Sequence, residues 1–189
     1  MRPLLPVTCT RRRWLESAFG AGIALALAPA LRAADEAAPE ERWLELTSIH
    51  SRKTVRAVYR RGADYDAGAL QSFRDLLRDR RNGAVHDIDP LLYDQLFDLA
   101  RAAGVPAHYE IISAYRSQES NDKMSAKPGS GVSKKSLHMQ GRAIDVRLRT
   151  VSTAKLRDLA LAAKKGGVGY YERSDFVHLD TGRFRKWIG

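Results

Sequence analysis

The sequence predicts an α+β domain in which a small antiparallel sheet is flanked by helices. Segments with helical periodicity alternate irregularly with short β-prone runs, whereas a wound parallel sheet would show regular alternation. The last three β-prone runs are separated only by short turns, which antiparallel strands allow. The chain has 189 residues, a length that suggests one domain after any processed segment is removed.

The first half of this domain is predicted to contain a hairpin and two helices. The helices are indicated by apolar residues at helical spacing and by aspartates in capping positions. A proline in the first turn and a terminal glycine further support the second helix. The predicted elements are strands at 43–50 and 54–60, a helix from Asp66 to Asn82-Gly83, and a helix from Asp89 to Gly104.

The second half is predicted to contain most of the sheet and one further helix. The strands are β-prone runs bounded by turn residues, and the helix has a serine cap and a glycine end. The predicted elements are a strand at 108–113, a polar loop at 118–136, a strand at 142–148, a helix from Ser152 to Gly166-Gly167, and strands at 168–171, 176–180 and 184–188.

The N-terminus has the pattern of an export signal. Arg11-Arg12 precede a weakly polar, alanine-rich run, Ala18–Leu31, which is typical of a twin-arginine signal. That run is shorter than the roughly 20 apolar residues that cross a bilayer. Small residues offer cleavage sites at Ala28-Pro29-Ala30 and after Ala33-Ala34; an uncleaved N-terminal anchor is the alternative. The predicted organisation is a signal peptide at 1–34, a linker at 35–42 and a periplasmic domain at 43–189.

Cysteine content and charge narrow the chemistry of the exported domain. The only cysteine, Cys9, precedes the apolar run, so the exported part has neither a disulfide nor thiolate chemistry. Removal of residues 1–34 takes away five arginines and one glutamate and lowers the formal net charge from +10 to +6. A basic exported domain favours an anionic partner such as cell wall or an acidic membrane surface, and export argues against nucleic acid.

Three residues of the second half carry metal-ligand chemistry. Asp145 lies in an apolar, strand-like run, where a buried carboxylate is costly unless its charge is compensated. His138 precedes it across a turn that Gly141 permits, and His178 lies in a second apolar run. Two imidazoles and one carboxylate can supply three ligands to a tetrahedral zinc ion and leave a fourth position for water. The alternative is a turn with an ordinary salt bridge, because this spacing is less specific than His-Glu-x-x-His.

Several segments resemble those of zinc murein peptidases. Ser136–Asp145 (SLHMQGRAID) matches the signature Ser-x-His-x-x-Gly-x-Ala-x-Asp of that group, and Ser113–Ser117 resembles its Ser-Gly-Tyr-Arg-Ser segment. The group includes D-Ala-D-Ala carboxypeptidases and dipeptidases and shares a core with lysostaphin-type enzymes and the hedgehog domain. Gly166–Tyr171, Phe176–Gly182 and Trp187 look like the exported murein endopeptidase branch. The resemblance extends over residues 43–187.

The resemblance implies a metal site and an arginine beside it. One zinc ion per chain would be held by His138, Asp145 and His178, in an α+β core of the hedgehog and D-Ala-D-Ala-peptidase type. Arg116 would contact the substrate or the charge that develops on the scissile carbonyl, and a guanidinium suits both. The alternative for Arg116 is a strand-end arginine paired with a structural acid.

The catalytic acid is where the chain departs from the family pattern. Several related families carry Glu-x-x-His, and the matching position here is Asp175, a shorter acid. Asp180 projects from the same strand face as His178 and is the preferred candidate; it could take a proton or orient His178. Asp175 is alternatively an exposed turn residue, and Tyr170 and Tyr171 are interpreted as sheet-packing residues.

The function that the resemblance implies is hydrolysis of amide bonds in peptidoglycan stem peptides or their cross-links by zinc-activated water. Asp180 or Asp175 would move the proton, and Arg116 would stabilise the oxyanion. The polar loop 118–136 is expected to form a wall of the substrate cleft. Two alternatives are a D,D-carboxypeptidase that trims terminal D-Ala and a non-catalytic, zinc-stabilised wall-binding module.

Replacement of Arg11 and Arg12 by lysine tests the export signal. We expect the double variant to leave the precursor in the cytoplasm, because the twin-arginine route reads the arginine pair. Cell fractionation measures this, with Arg2→Lys and Arg32→Lys as a control of equal charge. Unchanged delivery of the Arg11/Arg12 variant would indicate a different export route.

Overall fold

The computed structural model describes residues 39–189, so the predicted signal peptide and the first half of the predicted linker, residues 35–38, lie outside the described residues. Within them the chain forms eight strands, four α-helices and one short 3-10 helix. The strands are β1 Glu41–Ser48, β2 Thr54–Arg61, β3 Asp64–Tyr65, β4 His108–Ser113, β5 Ala143–Leu148, β6 Gly167–Tyr171, β7 Phe176–Asp180 and β8 Arg185–Ile188. The helices are α1 Ala67–Leu76, α2 Pro90–Ala103, α3 Gln118–Ser125 and α4 Thr153–Ala163, and the 3-10 helix is Leu137–Gln140.

The eight strands form one sheet in the order β3-β2-β1-β4-β5-β7-β6-β8. Neighbouring strands are antiparallel except for two parallel pairs, β1 with β4 and β6 with β8. The predicted α+β class is confirmed. The sheet that the described residues form is mostly antiparallel, and the two parallel pairs are additions that the sequence did not indicate.

One face of the sheet packs against α1, α2 and α4 and forms the core. Because side chains alternate between the two faces of a strand, Ile144 and Val146 enter this core while Asp145 points to the opposite face. Val177 and Leu179 place His178 on that opposite face in the same way. Full burial of a large aliphatic side chain contributes about 1.5–3 kcal/mol. The core therefore fixes which side chains of β5 and β7 face away from the helices.

The predicted N-terminal caps are confirmed, but the helix predicted to end at Gly166-Gly167 ends at Ala163, where Lys164 takes the left-handed conformation. Asp66 accepts a hydrogen bond from the backbone N–H of Ala69 at 2.8 Å at the start of α1. Asp89 accepts one from the N–H of Leu91 at 3.0 Å at the start of α2, and Gly104 ends that helix in the left-handed conformation. No helix within residues 39–189 is long and apolar enough to cross a membrane.

Helix α1 ends at Leu76, earlier than the predicted end at Asn82-Gly83. The reason is a turn that competes with the helix. The N–H of Asp79 donates to the carbonyl of Ala84 at 2.8 Å, and the Asp79 carboxylate accepts from the N–H of Arg81 at 2.9 Å. The polar side chain thus offers the backbone an alternative to helical hydrogen bonds.

The prediction of a loop over 118–136 is wrong in its first part, where the chain forms α3. The helix is polar almost all round, so it lacks the apolar stripe that would reveal it in the sequence. It is stabilised by its cap, where Ser117 accepts from the N–H of Ser120 at 3.2 Å. Glu119 and Lys123, four residues apart on the helix, also form a salt bridge at 2.6 Å, and opposite charges at this spacing stabilise a helix.

Candidate metal centre

The structure brings the three predicted ligands together on the open face of the sheet. The register of β5 and β7 sets Asp145 directly opposite His178, and the 3-10 helix carries His138. His138 Nε2 lies 3.2 Å from His178 Nδ1 and 3.4 Å from Asp145 Oδ1, and His178 Nδ1 lies 2.8 Å from Asp145 Oδ1. Three ligand atoms from three separate segments thus form one small triangle.

The triangle has the size that a bound metal ion requires. In tetrahedral zinc sites with bonds of about 2.0–2.1 Å, neighbouring ligand atoms are roughly 3.3 Å apart, close to the three distances observed here. His138, Asp145 and His178 are 3%, 6% and 8% exposed. Ring nitrogens and a carboxylate buried so close to one another need a shared cation or proton. The donor set therefore fits a divalent metal ion.

Hydrogen bonds behind the triangle orient both imidazole rings. His138 Nδ1 lies 2.6 Å from the carbonyl oxygen of Ala114, which can only accept, so Nδ1 carries the hydrogen and Nε2 presents its lone pair. His178 Nε2 lies 3.2 Å from Oδ2 of Asp180 and donates to it, which turns Nδ1 toward the triangle. Partners of this kind fix the ring orientation of metal-binding histidines.

Gly141 shapes the turn between His138 and Asp145. Its φ is +64°, and a side-chain carbon added there would lie 2.0 Å from the carbonyl oxygen of Asp87. The Gly141 carbonyl in turn accepts from the N–H of Asp89 at 2.9 Å. The glycine of the sequence signature is therefore required both by its backbone conformation and by this close approach.

The pKa values of Asp145 and His178 are shifted by neighbouring charges and hydrogen bonds. Burial alone would raise the pKa of Asp145, but the charges and hydrogen bonds of His138 and His178 outweigh it and hold that pKa well below its usual range. Burial alone would lower the pKa of His178, but Asp145 and Asp180 outweigh it and raise the pKa to about 9. Asp145 is thus ionised and favours positive charge at the triangle.

Arg116 lies beside the triangle in the segment that follows β4. Its backbone N–H donates to the carbonyl of His138 at 3.2 Å, so this segment binds His138 both here and through Ala114. Arg116 is 7% exposed, and its side chain donates to Oδ1 of Asn121 at 3.3 Å. Its Nε has no hydrogen-bond partner within residues 39–189. Burial lowers the pKa of Arg116, and the charge of Asp145 opposes that effect.

Asn121 and Asp79 fix the surroundings of Arg116. Asn121 is fully buried and also donates to the carbonyl of Ser133 at 3.1 Å, which connects α3 to the loop after it. Asp79 accepts from both the N–H and the hydroxyl of Ser117, at 2.8 Å and 2.7 Å. Asn121 therefore holds the arginine directly, whereas Asp79 fixes the neighbouring Ser117.

The carboxylate of Asp180 is fully buried and fully occupied by donors. Gly167 N, Gly182 N and Arg185 donate to Oδ1 at 2.9, 2.8 and 3.1 Å. Arg185 and His178 Nε2 donate to Oδ2 at 2.6 and 3.2 Å. Burial alone would raise the pKa of Asp180, but these hydrogen bonds hold it well below its usual range. The residue contacts His178 as predicted, from the side of the ring opposite the triangle.

Asp175 occupies the turn between β6 and β7 rather than a continuous strand. Its φ is +49°, and it is not among the residues that line the cleft beside the triangle. Its carboxylate accepts from Thr153 Oγ1 at 2.8 Å and lies 3.2 Å from Nε of Arg147. These contacts connect the turn to the start of α4 and to β5.

A cleft of about 870 Å³ opens beside the triangle. Residues 129–133 and 135–137 form one wall, as expected of the predicted polar loop, together with Met124 of α3. The other wall comes from β6 to β8 and contains residues that the sequence did not single out as functional. They are Tyr171, Phe176, Arg185 and Trp187. The order of the strands in the sheet brings these four side chains together. The sequence predicts only which side chains alternate within each strand.

The signature segment and the triangle on the open face of the sheet together define the class of protein. This is a murein peptidase of the zinc metallopeptidase group. The particular family follows from comparison with known proteins. The chain belongs to the family described as peptidoglycan L,D-endopeptidase MepK, whose family model matches residues 36–187.

Relatives from several bacteria support this assignment over nearly the whole chain. The peptidoglycan L,D-endopeptidase MepK of Escherichia coli K12 is 36% identical over 176 residues, which cover 93% of this chain and 96% of the relative. The protein of the same name from Shigella flexneri has the same identity and coverage. The probable peptidoglycan L,D-endopeptidase MepK of Haemophilus influenzae is 32% identical over 180 residues, 95% of this chain and 96% of the relative. No solved structure matches the chain significantly.

Metal binding at the triangle is expected to release about one proton per site at pH 7. His178 holds a proton below about pH 9 in the metal-free chain, and a metal ion must displace it from Nδ1. Apparent affinity should therefore rise with pH, by about 10-fold per unit, and level off as the pH passes about 9. Calorimetry in buffers of different ionisation enthalpy measures the proton count.

The control for this measurement is His50→Ala, which removes an exposed imidazole outside the triangle. It should leave affinity and proton release unchanged, whereas the double variant His138→Ala/His178→Ala should not retain stoichiometric metal. A proton count near zero at pH 7, or a double variant that keeps its metal, would contradict the assignment.

Proposed function

We propose that the chain is a zinc-dependent peptidoglycan L,D-endopeptidase that hydrolyses peptide cross-links. The observation that carries the proposal is the buried triangle of His138, Asp145 and His178 at the floor of a cleft. The names of the relatives supply the substrate and the bond type. A volume of about 870 Å³ lies within the range of sites that enclose a small-molecule ligand.

One zinc ion per chain is the metal that the donor set favours. Two imidazoles with one carboxylate are common at catalytic zinc sites, which keep a fourth position open. When bound, zinc would polarise the scissile carbonyl and lower the pKa of a water molecule. Ala114 and Asp180 support the proposal because they keep one ring nitrogen of each histidine free for the metal.

Arg116 is proposed to bind the scissile carbonyl oxygen. Negative charge develops on this oxygen during amide hydrolysis, and a guanidinium that is already in place stabilises it without reorganisation. Arg116 lines the same cleft as the three triangle residues, which supports a contact between its guanidinium and the substrate. The hydrogen bond to Asn121 limits the positions that the guanidinium can take.

Asp180 is proposed to position His178 rather than to move protons. A general base needs a free lone pair directed at the water or amine that it serves. The Asp180 carboxylate already accepts from five donor groups, and its pKa is held low. Asp175 is not placed to act as the base either, because its carboxylate contacts Thr153 and Arg147 and the residue does not line the cleft.

The two alternatives have less support. A carboxypeptidase that trims terminal D-Ala and a non-catalytic wall-binding module could both contain the triangle. The relatives are named as endopeptidases, and a binding module has no need of a buried, unsatisfied arginine beside the metal ligands. Endopeptidase activity is therefore the preferred function.

Export to the periplasm accords with a peptidoglycan substrate, which lies outside the cytoplasm. The Arg11-Arg12 pair before the alanine-rich run supports the twin-arginine route, and the lysine double variant described above tests it.

Digestion of purified muropeptides tests the proposed function. We expect the zinc-loaded domain to convert L,D-cross-linked dimers into monomers and to leave D,D-cross-linked dimers and terminal D-Ala intact, as mass spectrometry would show. The double variant His138→Ala/His178→Ala should be inactive, because it removes two of three metal donors. Release of D-Ala from monomers would support the carboxypeptidase instead. Binding of zinc and wall without any cleavage would support the binding module.

A second measurement separates a positioning role of Asp180 from proton transfer. We expect Asp180→Asn to lower zinc affinity by ~10–100-fold, as for other partners of metal-binding histidines, and to regain most activity at saturating zinc. Asp175→Asn should change neither quantity by more than about 2-fold, since exposed residues contribute little. Loss of activity by ~100-fold or more in Asp180→Asn with zinc bound would show that Asp180 moves protons.

A further inference from the structure

Amide hydrolysis needs a proton donor for the leaving nitrogen, and the acids considered so far do not supply one. The inference below rests on the proposed function. Asp145 is the only side-chain carboxylate that residues 39–189 contribute to the cleft lining, and it belongs to the triangle. The two imidazoles in that lining, His138 and His178, belong to it as well. Among the other proton-bearing side chains of the lining, Lys135 is exposed, whereas Tyr171 is half-buried and held by a hydrogen bond.

Tyr171 presents a hydroxyl to the same cleft. It lies two residues beyond Gly169 on β6, and Gly169 is the register partner of His178, so Tyr171 projects from the open face of the sheet. Its ring stacks on Phe176 with centroids 4.5 Å apart and planes at 14°. Tyr171 is half-buried and lines the cleft, and the stacking on Phe176 fixes its ring.

Trp187 orients the Tyr171 hydroxyl. The indole Nε1–H donates to the Tyr171 oxygen at 3.0 Å. Because an indole nitrogen only donates, the phenolic hydrogen is not used in this contact and remains available to a ligand. The hydroxyl is thus set as a donor directed away from Trp187.

The same indole places this hydroxyl near the metal ligands. The centroid of the Trp187 ring lies 5.1 Å from that of His178, so a single indole separates the His178 ring from the Tyr171 oxygen. A side-chain carbon at Gly169 would come within 2.5 Å of the indole, so glycine is required for this approach. Tyr171 and Arg116 line the same cleft.

We propose that Tyr171 is a catalytic residue that donates the proton to the leaving amine. The water oxygen first forms the new C–O bond to the carbonyl carbon, and the proton that the water gives up passes to solvent. The C–N bond then breaks as the leaving nitrogen takes the phenolic proton, and a proton from solvent restores the phenol. Trp187 is a positioning residue that acts through Tyr171.

Removal of the Tyr171 oxygen tests the proposal. Tyr171→Phe should lower kcat on an L,D-cross-linked muropeptide by ~100-fold or more, the range of general acid catalysis. KM and zinc affinity should stay within about 3-fold, because neither binding nor the metal ligands use the phenolic proton. An ester analogue needs little protonation of its leaving oxygen, so the loss should be much smaller on that substrate. Trp187→Phe, which removes the orienting N–H, should give a smaller loss in kcat.

The matched control is Tyr170→Phe, which removes the same oxygen from the neighbouring residue on the helix-covered face, where Arg157 stacks on the ring at 4.5 Å. It should leave kcat unchanged. The proposal is overturned if Tyr171→Phe retains kcat, if the loss is equal on amide and ester, or if zinc affinity falls in parallel with kcat. Wild-type protein that cleaves no muropeptide overturns the proposed function, and this inference with it.

Discussion

The antiparallel pairing of β5 with β7 is the constraint on which the centre depends. It sets Asp145 opposite His178 in two strands whose other side chains are largely buried. A shift of either strand by one residue would turn its ligand into the core and an aliphatic side chain into the cleft. The apolar residues that stabilise the domain therefore also determine the position of the polar site.

A second layer of contacts makes the polar site tolerable at this depth. Ala114 and Asp180 each bind the far nitrogen of one histidine, and Asp180 is itself neutralised by Arg185 and two backbone N–H groups. Buried charges are costly unless they are paired and hydrogen-bonded. Among the charged groups described around the triangle, only Arg116 keeps an unsatisfied buried nitrogen.

Local signals in the sequence were sufficient for most of the fold and for the proposed ligands. Asp89, Pro90 and Gly104 mark α2 because caps act over a few residues, and Asp145 stands out because its neighbours are apolar. Helix α3 escaped prediction because its stability comes from a serine cap and a buried asparagine instead of an apolar stripe. The contacts of Tyr171 depend on the parallel pairing of β6 with β8, which brings in Trp187 from a distant position. Strand order of this kind is a tertiary property that periodicity does not encode.

Strand β8 lies at the edge of the sheet and has only β6 as a neighbour. Edge elements have the fewest supporting contacts and open at the lowest free-energy cost. Yet this strand contributes both Arg185, which neutralises Asp180, and Trp187, which contacts His178 and Tyr171. Local opening of this strand would therefore separate Arg185 from Asp180 and Trp187 from His178 while the core stays intact. The centre is thus more easily disrupted than the fold that carries it.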